Sequence, residues 1–288
     1  MASATGRMPM PRGSRYVAGG GVALITGAAG GIGAALAGEL ARRGSDLALT
    51  DRNGTALVEV GHALRNEFPH VLITCYAGDV TDRSVPSRVV DHVMADHGRL
   101  TLLVNNAGVA LAGKFEQVSM DDVDWLLEIN LRATMAFVSD ALPHLPSGSQ
   151  ITNISSLFGI VAPVGGASYA ASKFAVRGFS QALRSELKPR NIGVTAVFPG
   201  GIRTPIAMHA RRGGGVSDDE WSEGQEIFQR LLVIDPTHAA RRIVAGTITR
   251  RPRVLIGYET HIGDALARFA PASSAQLLEA LIRLKTRR

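Results

Sequence analysis

The sequence predicts an α/β protein: a doubly wound parallel sheet of about seven strands with helices on both faces. Short apolar segments alternate with longer segments of helical periodicity along most of the 288 residues, which is typical of this class. Several apolar segments are nearly continuous runs of Val, Leu and Ile, as expected of strands buried on both faces of a parallel sheet. Right-handed crossovers would distribute the helices over both faces.

Seven strands and six helices are predicted from this alternation. The strands are residues 22–26, 47–50, 71–76, 100–105, 150–155, 193–198 and 253–256. The helices are residues 31–43, 54–67, 85–97, 120–142, 167–188 and 236–249. A single domain over residues 21–257 accounts for all of them, and residues 1–20 are predicted to be a flexible leader.

Two segments do not fit the alternation. Residues 204–229 contain a triple glycine at 213–215 and then an acidic helix start. They predict a mobile loop and a capped helix, either as a hinged lid over substrate or as a disordered surface loop. Residues 258–288 predict a C-terminal extension of two short amphipathic helices separated at Pro271. This extension would dock on the domain or on a partner subunit, or lie on a membrane surface.

Composition excludes several classes of function. The net charge is +6, but the basic residues are spread in pairs, which indicates a solvated surface rather than a nucleic-acid site; weak attraction to anionic lipid or cofactor phosphate is the alternative. No apolar run reaches the ~18 residues of a transmembrane helix, and the start lacks the apolar core of a secretory signal. The single cysteine, Cys75, forms no internal disulfide, and no metal-ligand cluster is evident. A cytoplasmic protein is therefore predicted.

A glycine-rich loop joins the first strand to the first helix. It reads Thr-Gly-Ala-Ala-Gly-Gly-Ile-Gly over residues 26–33. Glycines let a backbone approach a pyrophosphate closely, and a helix N-terminus offers free N–H groups to the anion. Asp51 ends the second strand, where a carboxylate binds ribose hydroxyls and repels a 2′-phosphate. The sequence therefore favours NAD, while the neighbouring Arg52 keeps NADP open as the alternative.

Tyr169 and Lys173 are four residues apart in a predicted helix. This spacing places both side chains on one face, one turn apart. A nearby ammonium favours the phenolate and would lower the pKa of the tyrosine below its ordinary value near ~10. The pair therefore predicts a general acid or base that acts on an alcohol or a ketone.

Further motifs follow the glycine loop in a fixed order. They are Asp79-Val80 after the third strand, Asn105-Asn106-Ala107-Gly108 after the fourth, Asn130 within a helix, Ser156 thirteen residues before Tyr169, and Pro199-Gly200 with Thr204 after the sixth strand. With the glycine loop and the Tyr-Lys pair, this set resembles the short-chain dehydrogenase/reductase family in its standard-length branch. The resemblance covers residues 22–204, and no catalytic position departs from the family pattern.

The resemblance implies a Rossmann fold and reversible hydride transfer between NAD or NADP and a CH–OH group. It implies that Tyr169 exchanges the proton, Ser156 donates a hydrogen bond to the substrate oxygen, Lys173 also bonds the nicotinamide ribose, and Asn130 holds a water. It further implies cofactor contacts by Gly27, Ala29, Gly31, Ile32, Gly33, Asp51, Arg52, Asp79, Val80, Asn106, Ala107, Gly108, Tyr169, Lys173, Pro199, Gly200, Ile202 and Thr204. A homodimer or homotetramer would form through helices 120–142 and 167–188.

The expected substrate is a small, lipophilic secondary alcohol or ketone. Apolar residues dominate the segments expected to line its pocket, which are residues 109–115, residues 157–166 and the loop after Thr204. The candidates are Leu157, Phe158, Ile160, Val161, Val164, Ile206 and Met208. Steroid-like, retinoid-like, long-chain and aryl carbinols all remain open. Two other functions also remain open: an NADP-dependent carbonyl or 3-ketoacyl reductase, and a catalytically silent dinucleotide-binding sensor or scaffold.

Overall fold

A seven-stranded parallel sheet forms the centre of the computed structural model, which describes residues 15–286. The strands are β1 (Val22–Thr26), β2 (Asp46–Asp51), β3 (Ile73–Ala77), β4 (Leu102–Asn105), β5 (Leu111–Ala112), β6 (Gln150–Ile154), β7 (Gly193–Pro199), β8 (Arg211–Arg212) and β9 (Arg253–Ile256). The order in the sheet is β3-β2-β1-β4-β6-β7-β9, and β5 pairs with β8 in a separate two-stranded ribbon. The predicted α/β fold is confirmed.

Ten α-helices accompany the sheet in the described part of the chain. They are α1 (Gly31–Ala41), α2 (Gly54–Glu67), α3 (Val85–His97), α4 (Met120–Leu127), α5 (Ala133–Ala141), α6 (Ala167–Glu186), α7 (Asp218–Leu231), α8 (Pro236–Ile248), α9 (Tyr258–Phe269) and α10 (Ser274–Thr286). The predicted helix over residues 120–142 is wrong in one respect: a π-helical turn, Glu128–Arg132, separates α4 from α5. Such single turns interrupt α-helices mostly at functional sites.

The core lies on both faces of the sheet. All five residues of β1 are buried, and they alternate between two clusters because successive side chains point to opposite faces. Ala23 and Ile25 pack into the cluster that includes residues of α1 and α8. Val22 and Leu24 pack into the cluster that includes residues of α3, α5 and α6. This two-sided burial explains why the strands are continuous apolar runs.

The packed part of the chain begins before residue 21. Tyr16 is 3% exposed, its hydroxyl lies 3.1 Å from Thr101 Oγ1, and its N–H donates to the carbonyl oxygen of Ile248. The end of the predicted flexible leader is therefore part of the core. Residues 1–14 of that leader lie outside the described residues.

The C-terminal helices α9 and α10 dock on their own domain. Leu278 of α10 is 3% exposed and packs with Leu157, Val161 and Phe198 in a third apolar cluster. Glu279 accepts a hydrogen bond from the backbone N–H of Val164 at 2.6 Å. Docking on the domain was one of the three predicted arrangements. Over residues 15–286, no helix combines the length and the apolar character needed to cross a membrane.

Backbone hydrogen bonds join two of the three glycines at 213–215 to neighbouring segments, while an added Cβ on Gly214 would have no heavy atom within 4 Å. The N–H of Gly213 donates to the carbonyl oxygen of Ala112, and the N–H of Gly215 donates to that of Gln117, both at 2.9 Å. A Cβ on Gly213 would lie 2.6 Å from the same Gln117 oxygen. The glycines thus allow close packing beside the β5–β8 ribbon. Arg211, in β8, adds a stacking contact 3.7 Å from the Trp125 ring centroid.

Candidate active site

The glycine loop lies between the carboxyl end of β1 and the start of α1. Gly27 has a φ of +66°, and a Cβ there would lie 2.8 Å from the Ala107 Cα atom. A Cβ on Gly33 would collide with the carbonyl oxygen of Gly27. Gly30 caps α1 without a side-chain hydrogen bond, and the first turn holds no acidic residue. The backbone N–H groups and positive dipole of α1 therefore suit a phosphate group.

Hydrogen bonds fix this loop to the motif that follows β4. Thr26 Oγ1 accepts from the backbone N–H groups of Asn106 and Ala107, both at 3.0 Å. Asn106 Nδ2 in turn donates to the carbonyl oxygens of Thr26 and Gly27. Two segments that are 80 residues apart in the chain therefore form one rigid wall.

Asp51 lies at the carboxyl end of β2 and is held in place from two sides. Its Oδ2 accepts from the N–H of Ala29 in the glycine loop at 3.0 Å, and its Oδ1 accepts from the N–H of Asn53 at 2.9 Å. Asp79, after β3, likewise accepts from Thr81. These contacts fix the direction of both carboxylates without neutralising either with a cation.

One cavity of about 750 Å³, here called the glycine cleft, runs along the carboxyl edge of the sheet. Every residue predicted to contact a cofactor lines it except Gly33, which instead allows the close approach of α1 to β1. Sequence reasoning missed Ile154, which also lines the cleft and which its place between Asn153 and Ser155 could have suggested. Val109 and His209 lie in segments expected to line the substrate pocket, and both line the glycine cleft instead.

Ser156, Tyr169 and Lys173 converge at one end of the glycine cleft. Ser156 lies close enough to the Tyr169 hydroxyl to lower its pKa, and its Oγ accepts from the N–H of Phe158 at 3.1 Å. Lys173 is 4% exposed, its Nζ lies 5.8 Å from the Tyr169 ring centroid, and it donates to the carbonyl oxygen of Ile154 at 3.3 Å. The predicted one-face arrangement of the tyrosine and the lysine is present.

The pKa values differ from the expectation that Lys173 lowers the pKa of Tyr169. Burial raises the pKa of Tyr169 to about 12, and the Ser156 hydrogen bond offsets only part of the rise. Burial also lowers the pKa of Lys173 to about 8, because a charged amine loses its hydration. Desolvation therefore determines the direction of both shifts, and the phenol is protonated at neutral pH.

Asn130 lies in the π-helical turn and joins three elements. Its Oδ1 accepts from the N–H of Val109 at 2.8 Å, and its Nδ2 donates to the carbonyl oxygen of Val109 and to Ser172 Oγ, both at 3.0 Å. Ser172 Oγ also donates to the carbonyl oxygen of Tyr169. Asn130 is 1% exposed and lines neither cavity, so its side chain positions the segment after β4 relative to α6.

A second cavity of about 350 Å³, here called the apolar cavity, opens beside Tyr169. Of the seven predicted pocket residues, Leu157, Phe158 and Ile206 line it. The other four were wrong as pocket residues. Ile160 and Val161 are buried in the third apolar cluster, because the 3₁₀ turn after Ser156 directs them into the domain. Val164 and Met208 are 78% and 64% exposed.

One face of α7, which lies mostly within the predicted loop or lid at residues 204–229, forms a wall of the apolar cavity. The lining residues of this helix are Glu220, Trp221, Gly224, Gln225, Phe228 and Leu231. Their spacing of three and four residues is that of a single helical face. The spacing was visible in the sequence, but it could not show that this face turns toward Tyr169 rather than toward the core.

Six residues line both cavities, and they mark the place where the cavities meet. They are Ser156, Tyr169, Pro199, Gly200, Ile206 and Leu232. A molecule in the apolar cavity would therefore contact the same hydroxyl groups as a molecule in the glycine cleft. Within residues 15–286 no group of three or more His, Cys, Asp or Glu side chains is placed to hold a metal ion.

Comparison with known sequences identifies related proteins. A family model described as short chain dehydrogenase matches residues 21–214. The chain is 35% identical over 266 residues to the Mycobacterium tuberculosis protein SadH, which covers 90% of this chain and 94% of that protein. It is 34% identical over 226 residues to trans-4-hydroxycyclohexanecarboxylate dehydrogenase of Sinomonas cyclohexanicum, which covers 74% of this chain and 85% of that enzyme.

Two solved structures share this architecture. A short chain dehydrogenase/reductase from Burkholderia phymatum, in complex with NAD, matches with a TM-score of 0.80 and 25% identity over 90% of this chain and 95% of that chain. A short chain dehydrogenase from Burkholderia cenocepacia, in complex with NADP, matches with a TM-score of 0.71 and 29% identity over 84% of this chain and 98% of that chain.

Proposed function

The chain belongs to the short-chain dehydrogenase/reductase family, and on that premise we propose that it oxidises a lipophilic secondary alcohol, or reduces the corresponding ketone, with Tyr169 as the general acid/base. The observation that carries the proposal is the position of Ser156 and Tyr169, which are the two hydroxyl-bearing residues that line both the apolar cavity and the glycine cleft. Two molecules bound side by side would meet at these hydroxyls.

The residues of the glycine cleft fit a nicotinamide dinucleotide. Gly27 and Gly33 allow an approach that a Cβ would block, and the N-terminus of α1 has no capping side chain of its own. The related structures contain NAD or NADP, so a nicotinamide cofactor is supported. When bound, the nicotinamide supplies the acceptor or donor of the hydride, and the protein contributes binding, orientation and proton transfer.

In this proposal the hydroxyl of Tyr169 exchanges the proton with the substrate oxygen. Ser156 donates a hydrogen bond to that oxygen, where negative charge develops as the C–H bond is made or broken. Because the pKa of Tyr169 is about 12, the phenol is ready to donate a proton to a ketone at neutral pH. Oxidation of an alcohol needs the phenolate instead, so its rate should rise with pH.

We propose NAD as the preferred cofactor. Asp51 is held at the edge of the glycine cleft by the N–H groups of Ala29 and Asn53, and a fixed carboxylate there disfavours a 2′-phosphate. Arg52 lines the same cleft and supports the second candidate, an NADP-dependent carbonyl or 3-ketoacyl reductase. Measuring the Kd of both reduced cofactors tests this preference.

A homodimer or homotetramer remains part of the proposal. Met135 on α5 and Phe174 on α6 are 44% and 37% exposed, and these helices are the ones that the family resemblance assigns to subunit contacts. Burial of such apolar side chains would stabilise an assembly. Light scattering coupled to gel filtration would measure the mass of the particle, and a monomer would contradict the assignment.

The decisive experiment combines a panel of substrates with one substitution. The wild-type protein is screened with small, cyclic, aryl and long-chain secondary alcohols, using NAD and NADP, by nicotinamide absorbance. Tyr169→Phe should then lower kcat by ~10²–10⁴-fold, since it removes the transferable proton, while dinucleotide binding changes little. Tyr76→Phe, which removes a hydroxyl bonded to Asp96 outside both cavities, is the matched control.

Two outcomes would contradict the proposal. Substantial activity in Tyr169→Phe would show that the tyrosine does not transfer the proton. Tight dinucleotide binding with no turnover of any alcohol or ketone would instead favour the sensor or scaffold hypothesis.

A further inference from the structure

Helix α7 has a glycine at its centre that its surroundings do not require. Gly224 is the seventh of the 14 residues of α7. Glycine is the least favourable residue after proline in a helix interior. A Cβ added to Gly224 would meet no heavy atom within 4 Å, and its φ is not positive. Neither packing nor backbone conformation therefore explains this glycine.

The open space beside Gly224 is the apolar cavity. Trp221, Gly224, Gln225 and Phe228 all line this cavity, and their spacing places them on one face of α7. The absence of a side chain at position 224 thus leaves a gap between two aromatic side chains. A larger residue there would project into the space that lies across from Tyr169 and Ser156.

Contacts at both ends hold α7 in place. Near its start, Glu220 accepts two hydrogen bonds from Gln117 Nε2, at 3.1 and 3.0 Å. In its middle, Gln225 donates to the carbonyl oxygen of Ala207 at 2.7 Å. Just after its end, the N–H of Val233 donates to the carbonyl oxygen of Gly201. These hydrogen bonds position α7 as one wall of the cavity, with Gly224 facing the space.

The chemistry around the gap selects for an apolar group. Trp221 and Phe228 offer flat apolar surfaces on either side, and aromatic rings pack favourably against other rings. Lys114 and Glu220 also line the cavity, but their Nζ and Oε1 atoms lie 4.0 Å apart. Glu259 is a third charged lining residue. With one ammonium and two carboxylates among its lining residues, the cavity offers no excess positive charge to bind an anionic group.

We propose that Gly224 is a specificity-determining residue: it provides the room for a neutral carbinol or ketone that carries a ring or a branched apolar group next to the reacting carbon. This inference rests on the proposed function and names the substrate class of that same site. A smaller substrate, such as isopropanol, leaves the gap unused and gains nothing from the glycine.

The test compares a bulky and a small alcohol in variants of Gly224. Gly224→Leu should lower kcat/KM for naphthyl methyl carbinol by ~10-fold or more, as a blocked hydrophobic pocket does, and leave that for isopropanol within about twofold. Gly224→Ala should shift the ratio of the two values in the same direction by about twofold or more. It should also raise the thermal midpoint by ~2 °C, because alanine favours the helix.

Two control variants separate cavity size from helix stability. Gly38 is an interior residue of α1 where an added Cβ would make only an ordinary contact with Leu64 Cδ2 at 3.7 Å, and it lines neither cavity. Gly38→Ala should raise the thermal midpoint without changing the substrate ratio. Ser222→Leu adds the same side chain as Gly224→Leu to α7, at an exposed position outside the cavity, and should also leave the ratio unchanged.

The possible outcomes are decisive for the inference and for the proposed function separately. The inference is overturned if both Gly224 variants keep the wild-type ratio of kcat/KM for naphthyl methyl carbinol to kcat/KM for isopropanol. If Gly224→Leu fails to fold, the ratio measured for Gly224→Ala decides. If the wild type oxidises no alcohol, the proposed function fails, and calorimetric binding of naphthyl methyl carbinol to the NAD-loaded protein replaces the rate. Weaker binding in Gly224→Leu then supports the inference, and equal binding overturns it.

Discussion

The buried amine of Lys173 should make the stability of the protein depend on pH in a specific way. The pKa of Lys173 falls from 10.5 to about 8 in the folded state because the side chain is buried. Between these two values the unfolded chain binds a proton that the folded protein does not, so the free energy of unfolding rises with pH. The whole shift corresponds to about 3.4 kcal/mol, since one pKa unit is worth ~1.36 kcal/mol.

About 2 kcal/mol of this change falls between about pH 7 and pH 9.5, from the two pKa values and the linkage relation. The measurement should end there because Tyr169 acts in the opposite direction at higher pH. Its pKa is raised from 10.0 to about 12, so the folded protein keeps a proton that the unfolded chain loses, and stability falls as the pH rises through that window.

Lys173→Met removes this contribution. Urea unfolding of wild type and variant, followed by circular dichroism at a fixed protein concentration, gives the free energy of unfolding at each pH. The difference between the two proteins should change by about 2 kcal/mol across the range, to the relative advantage of the wild type at high pH. Lys188→Met, at an exposed position, should give a constant difference. Parallel curves for wild type and Lys173→Met would refute the reasoning.

Three further substitutions test other parts of the site. Ser156→Ala should lower kcat by ~10²-fold with little change in KM, as loss of a donor to a developing oxyanion does; an unchanged kcat would exclude that role. Asp51→Ala should lower the ratio of the NADP Kd to the NAD Kd, measured by fluorescence titration, and an unchanged ratio would remove Asp51 from cofactor choice. Gly33→Ala should lose NAD binding and thermal stability, because its Cβ would collide with the Gly27 carbonyl oxygen. Gly30→Ala has free space for its Cβ and should stay folded. Equal thermal stability of the two variants would contradict the packing argument.

The sheet could be predicted because its strands are buried on both faces. In a segment such as Val22–Thr26 every residue is buried, so its apolar run is not interrupted by polar residues. The turns that follow such strands carry distinctive glycine and asparagine motifs. The proximity of Ser156, Tyr169 and Lys173 could also be predicted from the sequence. The i, i+4 spacing places the tyrosine beside the lysine, and the order of the family motifs identifies the serine. The bounds of β3, predicted as residues 71–76 and observed as Ile73–Ala77, show the usual uncertainty at element ends.

Properties that depend on several distant segments could not be predicted. The direction of the pKa of Tyr169 follows from burial by the surrounding structure, and the local i, i+4 spacing shows only the nearby amine. The contact between the triple glycine and Gln117, almost a hundred residues earlier in the chain, also joins distant segments. The individual residues of α7 that line the apolar cavity could not be predicted either, because an amphipathic pattern does not show which surface the helix covers.

The small overlap between the two cavities has a consequence for redesign. Only the junction residues, among them Ser156 and Tyr169, belong to both, whereas α7 and the β5–β8 ribbon touch the apolar cavity without reaching the glycine loop. Changes on α7 can therefore alter which molecule reacts while the nucleotide affinity stays constant. A library of substitutions confined to α7 should therefore change which substrates are accepted, while the residues of the glycine cleft stay intact.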